Sequence, residues 1–139
     1  MRDILIGMKQ SPVVHFEMPA KDKGRVSKFY SEAFGWEMNQ LGEDMGGYVL
    51  AGTTPVDKNQ MALNPGAING GFFEYKDEEG FNAPHIVVQV ENLDEAIEAI
   101  KKAGGQITGD KMPIQGIGTY VSIKDSEGNN VGILQPDRP

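Results

Sequence analysis

The sequence predicts an α+β fold in which one domain, residues 11–135, contains two copies of a βαβββ unit. Two observations predict it. The order strand, helix, strand, strand, strand occurs twice, in module one (11–76) and module two (82–135). An offset of 70 residues, or 72 for the last pair, also aligns identical residues: His15 with His85, Ala33 with Ala103, Gly35 with Gly105, and Tyr48 with Tyr120.

Module two has the clearer pattern. The β-rich run HIVVQV at 85–90 predicts a buried strand, and Asn92 with Glu95 forms a capping box that predicts a helix start. Apolar residues then recur at helical spacing until Gly104-Gly105, which predicts the helix end. Three further strands are predicted near residues 106–112, 119–124 and 130–135.

Module one follows the same plan. We predict a strand over 13–18, a helix from about Asp22, and strands near 36–41, 47–51 and 71–75. The segment TTPVDKNQMALNPGAIN between the last two strands is polar and rich in Pro, Gly and Asn. A connection this long either covers the mouth of a cavity or is an ordinary solvent loop, and the sequence leaves both readings open.

Composition restricts the site chemistry, the partners and the location of the protein. The chain has 139 residues, a formal net charge of −7 and no cysteine, so disulfides, thiolate metal sites and cysteine nucleophiles are excluded. The acidic balance argues against nucleic acid as a partner. No apolar run is long enough to cross a membrane, and the N-terminal segment lacks the features of a secretory signal, so we expect a cytoplasmic protein.

Three segments resemble the vicinal oxygen chelate superfamily, the glyoxalase, bleomycin-resistance and extradiol dioxygenase proteins. HFEMPAKDKGRVSKFYSEAFGW resembles the opening strand and helix, in which a metal-ligand His precedes a Phe-Tyr pair, here His15 and Phe29-Tyr30. HIVVQVENLDEAIEAIKKAGG resembles the start of the second module, and MPIQGIGTYVSIKDSEGNNVGILQ the closing hairpin. The resemblance spans 13–135 and implies an eight-stranded, cup-shaped incomplete barrel with helices outside. It also implies a small-molecule ligand in the cup and a homodimer.

The resemblance implies a site inside the cup. Strand alternation places His15 and Glu17 on one face of the first strand, and His85, Val87 and Gln89 on one face of the fifth. The two histidines are then candidate ligands for a divalent zinc, nickel, manganese or iron ion, and Glu17, Val87 and Gln89 are candidate cavity residues.

The carboxylate that the resembling metal proteins carry on the last strand falls at Gly132, which has no side chain. Glu17 and Glu74 are the candidate replacements, although aligning Gly71 with Gly132 points Phe73 inward and Glu74 outward. Two functions remain open. One is a metal-independent protein that binds a small, cationic molecule, and the other is a metal-dependent lyase, isomerase or transferase of the glyoxalase type with a rearranged ligand set.

Overall fold

A computed structural model describes residues 10–59, 61–77 and 82–137. The described residues fall into two compact units, one formed by 14–86 and the other by 10–13 with 87–137. The order of elements confirms the α+β class and the two βαβββ modules. In these described ranges no helix is long and apolar enough to cross a membrane.

The first unit contains four strands and an α-helix, with a short 3-10 helix (Glu43–Met45) between the second and third strands. The strands and the α-helix are β1 (Val13–Ala20), α1 (Lys23–Phe34), β2 (Glu37–Gln40), β3 (Val49–Gly52) and β4 (Asn69–Glu74). The strands lie in the order β2-β3-β4-β1, and β1 and β4 pair in parallel while the other pairs are antiparallel.

Helix α1 covers one face of this sheet. The Asp22 side chain caps it by accepting a hydrogen bond from the Arg25 N–H, and Gly35 ends it in the left-handed conformation at φ 71°. The core beneath the helix contains Phe72 and Val49, both almost fully buried, with Tyr30 and Trp36 packed against them. Burial of this face leaves the opposite face of the sheet to carry the polar residues.

The second unit contains the remaining elements. They are β5 (His85–Gln89), whose first two residues belong to the first unit, α2 (Leu93–Lys102), β6 (Gln106–Ile107), β7 (Met112–Ile114), β8 (Gly118–Lys124) and β9 (Asn130–Pro136). The strand order is β5-β9-β8-β6, and β7 also pairs with β8. Asn92 caps α2 through the Glu95 N–H, as the capping-box pattern predicts.

The strand predicted over 106–112 is two strands, so the described part of the chain has nine strands where eight were expected. β6 pairs with the end of β8 and β7 with its beginning. The residues between them include Gly109 and Asp110, which favour turns over strands and do not pair with β8 as part of either strand.

The long connection between β3 and β4 is anchored at its base. The side-chain oxygen of Asn69 accepts hydrogen bonds from the Thr53 and Thr54 N–H groups, at 2.7 and 3.1 Å. An isolated bridge joins Val56 to Ala62 across the loop. The loop therefore has a defined path over its described residues, and it exposes Met61 and Leu63.

Candidate functional site

The site lies in the first unit, on the face of the sheet opposite α1. Phe16 and Met18 of β1 pack against the core under the helix. Because side chains alternate along a strand, His15 and Glu17 occupy the other face. The first residue of β5, His85, reaches the same group of side chains.

Four side chains form a continuous hydrogen-bonded chain on this face. His15 Nε2 lies 3.1 Å from the Tyr48 hydroxyl, and that hydroxyl donates to Glu17 Oε2 at 3.0 Å. The other carboxylate oxygen, Oε1, lies 2.9 Å from His85 Nε2. The side chains of His85 and Glu17 are only 4% and 15% exposed, so these contacts form in a largely desolvated setting. We call this set the His-Tyr-Glu-His network.

The network determines which ring nitrogens carry protons. The single hydroxyl proton of Tyr48 is donated to Glu17, so Tyr48 accepts from a protonated His15 Nε2. A carboxylate only accepts, so His85 Nε2 must donate to Glu17. The His85 Nδ1 also faces an acceptor, the Ala83 carbonyl, at 3.3 Å. Neither Nε2 atom therefore presents a lone pair while the network is intact.

Tyr48 reaches Glu17 by crossing over a glycine. Leu50 of β3 pairs with Gly71 of β4, and Gly71 pairs with Glu17 of β1, so the phenol ring passes diagonally over Gly71. A Cβ at Gly71 would overlap the Tyr48 hydroxyl and ring carbons. The absence of a side chain at position 71 is therefore what allows the network to form.

Burial lowers the pKa of His15 below its usual value near 6.5. The nearby Glu17 opposes this shift, and His85 adds to it. His15 is therefore neutral at pH 7, in agreement with a ring that has a single protonated nitrogen.

The lowered pKa of His15 predicts a pH dependence of stability. A buried neutral histidine stabilises the fold fully above its unfolded pKa, and this contribution is lost as the pH falls from about 6.5 toward the lower folded pKa. We expect the free energy of unfolding, measured in urea, to decrease more steeply between about pH 7 and 5 in the natural chain than in His15→Gln. Equal slopes for the two proteins would contradict this prediction.

The other predicted residues are not members of the network. Glu74 is exposed at the end of β4, opposite Ala20 of β1, and is not part of the network. Phe73 faces His85, with 5.5 Å between the ring centroids, so alternation directs Glu74 to the other face. In the second unit, Val87 is buried and Gln89 is half-buried, with its N–H donating to the Pro12 carbonyl.

Gly132 lies in the second unit on β9, paired with Ser122 of β8. A Cβ there would come within 2.6 Å of Tyr120 Cε2, so this glycine is also covered by a tyrosine ring. In the sequence Tyr48 aligns with Tyr120 and Gly71 with Gly132. These two aligned pairs are the sequence signal for a tyrosine that covers a glycine in each unit, but the arrangement itself was not predicted.

The network occupies the side-chain atoms that were predicted to ligate a metal ion. Each Nε2 donates a hydrogen bond in the network, and both oxygens of Glu17 accept one. Over the ranges that the structure describes, no group of three or more His, Cys, Asp or Glu is arranged to hold a metal ion. Binding of a metal ion by His15, Glu17 and His85 would require this network to break.

Comparisons with known proteins agree with the fold. Residues 13–133 match the profile of the Glyoxalase/Bleomycin resistance protein/Dioxygenase superfamily. A probable lactoylglutathione lyase of Vibrio parahaemolyticus is 28% identical over 130 residues, 92% of this chain and 93% of that protein. A glyoxylase-like domain-containing protein of Didymella fabae is 30% identical over 120 residues, 84% of this chain and 88% of that protein.

Solved structures support the same architecture. A methylmalonyl-CoA epimerase of Streptomyces coelicolor superposes with a TM-score of 0.66 over 93% of this chain and 99% of that one, at 14% identity. A hypothetical protein of Bacillus halodurans gives a TM-score of 0.65 over 94% and 98%, at 15% identity. At these identities the likeness shows the fold alone.

Proposed function

Because this chain belongs to the Glyoxalase/Bleomycin resistance protein/Dioxygenase superfamily, we propose that it binds a small molecule on the face that carries the His-Tyr-Glu-His network. We propose further that it does so without a chelated divalent metal. The ligand contacts Tyr48 and Glu17, which lie in the middle of the network.

One observation carries the proposal: the atoms that would ligate a metal are already hydrogen-bonded within the network. His15 Nε2 donates to Tyr48, and His85 Nε2 donates to Glu17. Position 71, which aligns with the usual carboxylate position at 132, is a glycine covered by the Tyr48 ring. A divalent ion held by two neutral imidazoles would keep most of its ligands as water and its charge uncompensated.

A second candidate is a metal-dependent lyase, isomerase or transferase with a rearranged ligand set. Its support is that Glu17 lies within hydrogen-bond reach of His85 and, through Tyr48, is linked to His15. Several relatives that are 23–28% identical are named lactoylglutathione lyases. In this case zinc, nickel, manganese or iron would displace Tyr48 from Glu17 and bind in its place.

Calorimetric titration of untagged protein with zinc, nickel and manganese distinguishes the two functions. We expect a dissociation constant above about 10 µM, a binding free energy no stronger than about −7 kcal/mol, because binding must first break the network. Ions present after purification should be removed by a chelator.

If an ion does bind tightly, variants of His15 and Glu17 identify the side chains that ligate it. One ion per chain, bound well below 10 µM and lost in both His15→Ala and Glu17→Gln, would overturn the metal-free proposal in favour of the second candidate. Glu74→Gln is the matched control, since this carboxylate is in the same unit but exposed and outside the network.

Two properties stay predictions from the sequence. We propose that the protein acts in the cytoplasm. We also propose that it forms a homodimer, as resembling proteins commonly do. The exposed Phe29 and Phe34 of α1 are available for such an association.

A further inference from the structure

We propose that a cavity at the junction of β1 and α1 is a second binding site, which takes a small organic carboxylate with an apolar body. This inference goes beyond the proposed function, because the described lining of the cavity includes none of the four residues of the His-Tyr-Glu-His network. It follows from the size of the cavity, from two cationic side chains in its lining, and from the apolar surface beside them.

The cavity has room for a small molecule. It lies within the first unit and has a volume of about 530 Å³. Sites for small organic ligands measure about 300–1,000 Å³. Its described lining comes from the end of β1, the beginning of α1 and the residues that follow β4. A bare inorganic ion would fill only a small part of this space, so the cavity fits an organic molecule.

Two cationic side chains, those of Lys21 and Arg25, line the cavity. Within the part of the chain that the structure describes, neither of them forms an ion pair with a carboxylate. Asp22, which lies between them in the sequence, instead accepts the Arg25 backbone N–H at 2.9 Å as the cap of α1. In a chain with a formal net charge of −7, two such cations beside one cavity indicate a local preference for an anion.

This preference comes from side chains and not from the end of the helix. The Arg25 N–H already donates to the Asp22 side chain, and the Val26 N–H donates to the Asp22 carbonyl at 3.0 Å. With Asp22 counted, the described lining carries two cations and one carboxylate. This balance favours a ligand with a single negative charge, because a second one would face Asp22 without a further cation to offset it.

The two cations are suited to bind one carboxylate together. The Lys21 ammonium group lies 4.8 Å from the centroid of the Tyr75 ring, and this cation–π contact restrains it before a ligand arrives. The Tyr75 N–H donates to the Ala20 carbonyl at 3.0 Å, which places the tyrosine next to the lysine. The guanidinium of Arg25 is planar, and its paired N–H donors match the two oxygens of a carboxylate.

The rest of the lining provides apolar surface for the body of the ligand. Five of the described lining residues are apolar or aromatic: Pro19, Ala20, Val26, Phe29 and Tyr75. An apolar body attached to the carboxylate would remove this surface from water, whereas a bare anion would leave it wet. One ligand can therefore use the charged and the apolar parts of the cavity at once.

The experiment titrates the full chain with 2-naphthoate, a flat apolar body with one carboxylate, and follows the backbone amide signals by NMR. We expect a dissociation constant below about 1 mM, with the largest signal changes in residues 19–29. Arg25→Gln should weaken binding roughly 10-fold, because it removes the charged, forked donor. Lys21→Gln, which removes a point charge, should weaken binding roughly 3-fold.

Lys28→Gln is the matched control. It makes the same change in net charge on an exposed residue of α1 that is outside the described lining, and it should leave binding unchanged. Two further probes separate charge from body: 2-naphthamide has the same ring system without the charge, and acetate has the carboxylate without the ring system. We expect both to bind at least roughly 10-fold more weakly than 2-naphthoate.

Each contrary outcome overturns a stated part of the proposal. Failure of 2-naphthoate to bind, signal changes confined to other parts of the chain, or equal losses in Arg25→Gln and Lys28→Gln would overturn the site. Equal affinity for 2-naphthamide would show that the cavity does not select an anion, and equal affinity for acetate would show that it does not select an organic body. The amide spectrum of each variant verifies that it is folded. The metal titration tests the proposed function separately.

Discussion

Replacing Phe72 with alanine is expected to lower the free energy of unfolding by about 3–5 kcal/mol. The side chain is 1% exposed, on the face of β4 that α1 covers. Its ring centroid lies 5.2 Å from that of Tyr30 on the helix. Alanine would leave a cavity between helix and sheet that the surrounding strands cannot close, because Phe72 is paired on both sides, with Met18 and Val49.

Equilibrium unfolding in urea measures this loss. Leu63→Ala is the control, because it truncates an apolar side chain that is 57% exposed in the connection between β3 and β4. We expect it to cost less than about 1 kcal/mol. Similar losses for the two variants would show that the core of the first unit does not depend on Phe72.

The parts of the fold that depend on neighbouring residues in the sequence, such as helix caps, could be predicted. Asn92 and Glu95 mark the start of α2 by side-chain chemistry alone, and the structure contains that cap. The prediction of one strand over 106–112 was wrong in part, although Gly109 and Asp110, which favour turns, were a local signal for the interruption. Which residues on either side pair with β8 depends on the register with that distant strand.

The candidate site was predictable in part for the same reason. Alternation along β1 groups His15 with Glu17, and the structure brings both together with His85. The role of Tyr48 was not predicted, because it depends on how β3 pairs with β4 and on a diagonal reach across two strands. Neither the register between these strands nor this diagonal contact is encoded in local residue patterns.

Gly132 illustrates a different limit of prediction from the sequence. The sequence shows that the last strand lacks a carboxylate there, and a direct test would place glutamate at this position. The structure adds that the Tyr120 ring covers Gly132, so any side chain introduced there must first displace that ring. Restoring a ligand therefore requires a change at Tyr120 as well, a dependence that a comparison of single positions does not reveal.

Gly71→Ala is expected to lower the free energy of unfolding by about 2–3 kcal/mol, although alanine normally stabilises a strand relative to glycine by about 0.5–1 kcal/mol. The added Cβ would overlap the Tyr48 ring, which must then leave its position. That movement breaks the hydrogen bonds to His15 and to the charged Glu17. The negatively charged acceptor makes the second of these the more costly loss.

A double-mutant cycle isolates this coupling. With Tyr48→Ala already present, the ring is gone and Gly71→Ala should be neutral or slightly stabilising, so the two changes should be non-additive by about 2–3 kcal/mol. Gly109→Ala is the matched control. A Cβ added at Gly109 would have no neighbouring atom nearer than 3.9 Å, and the backbone there is not in the left-handed conformation. Additive effects, or a Gly71→Ala loss no larger than that of Gly109→Ala, would show that Tyr48 does not depend on the glycine beneath it. In that case the fixed position of the ring, on which the hydrogen-bonded network rests, would have to be abandoned.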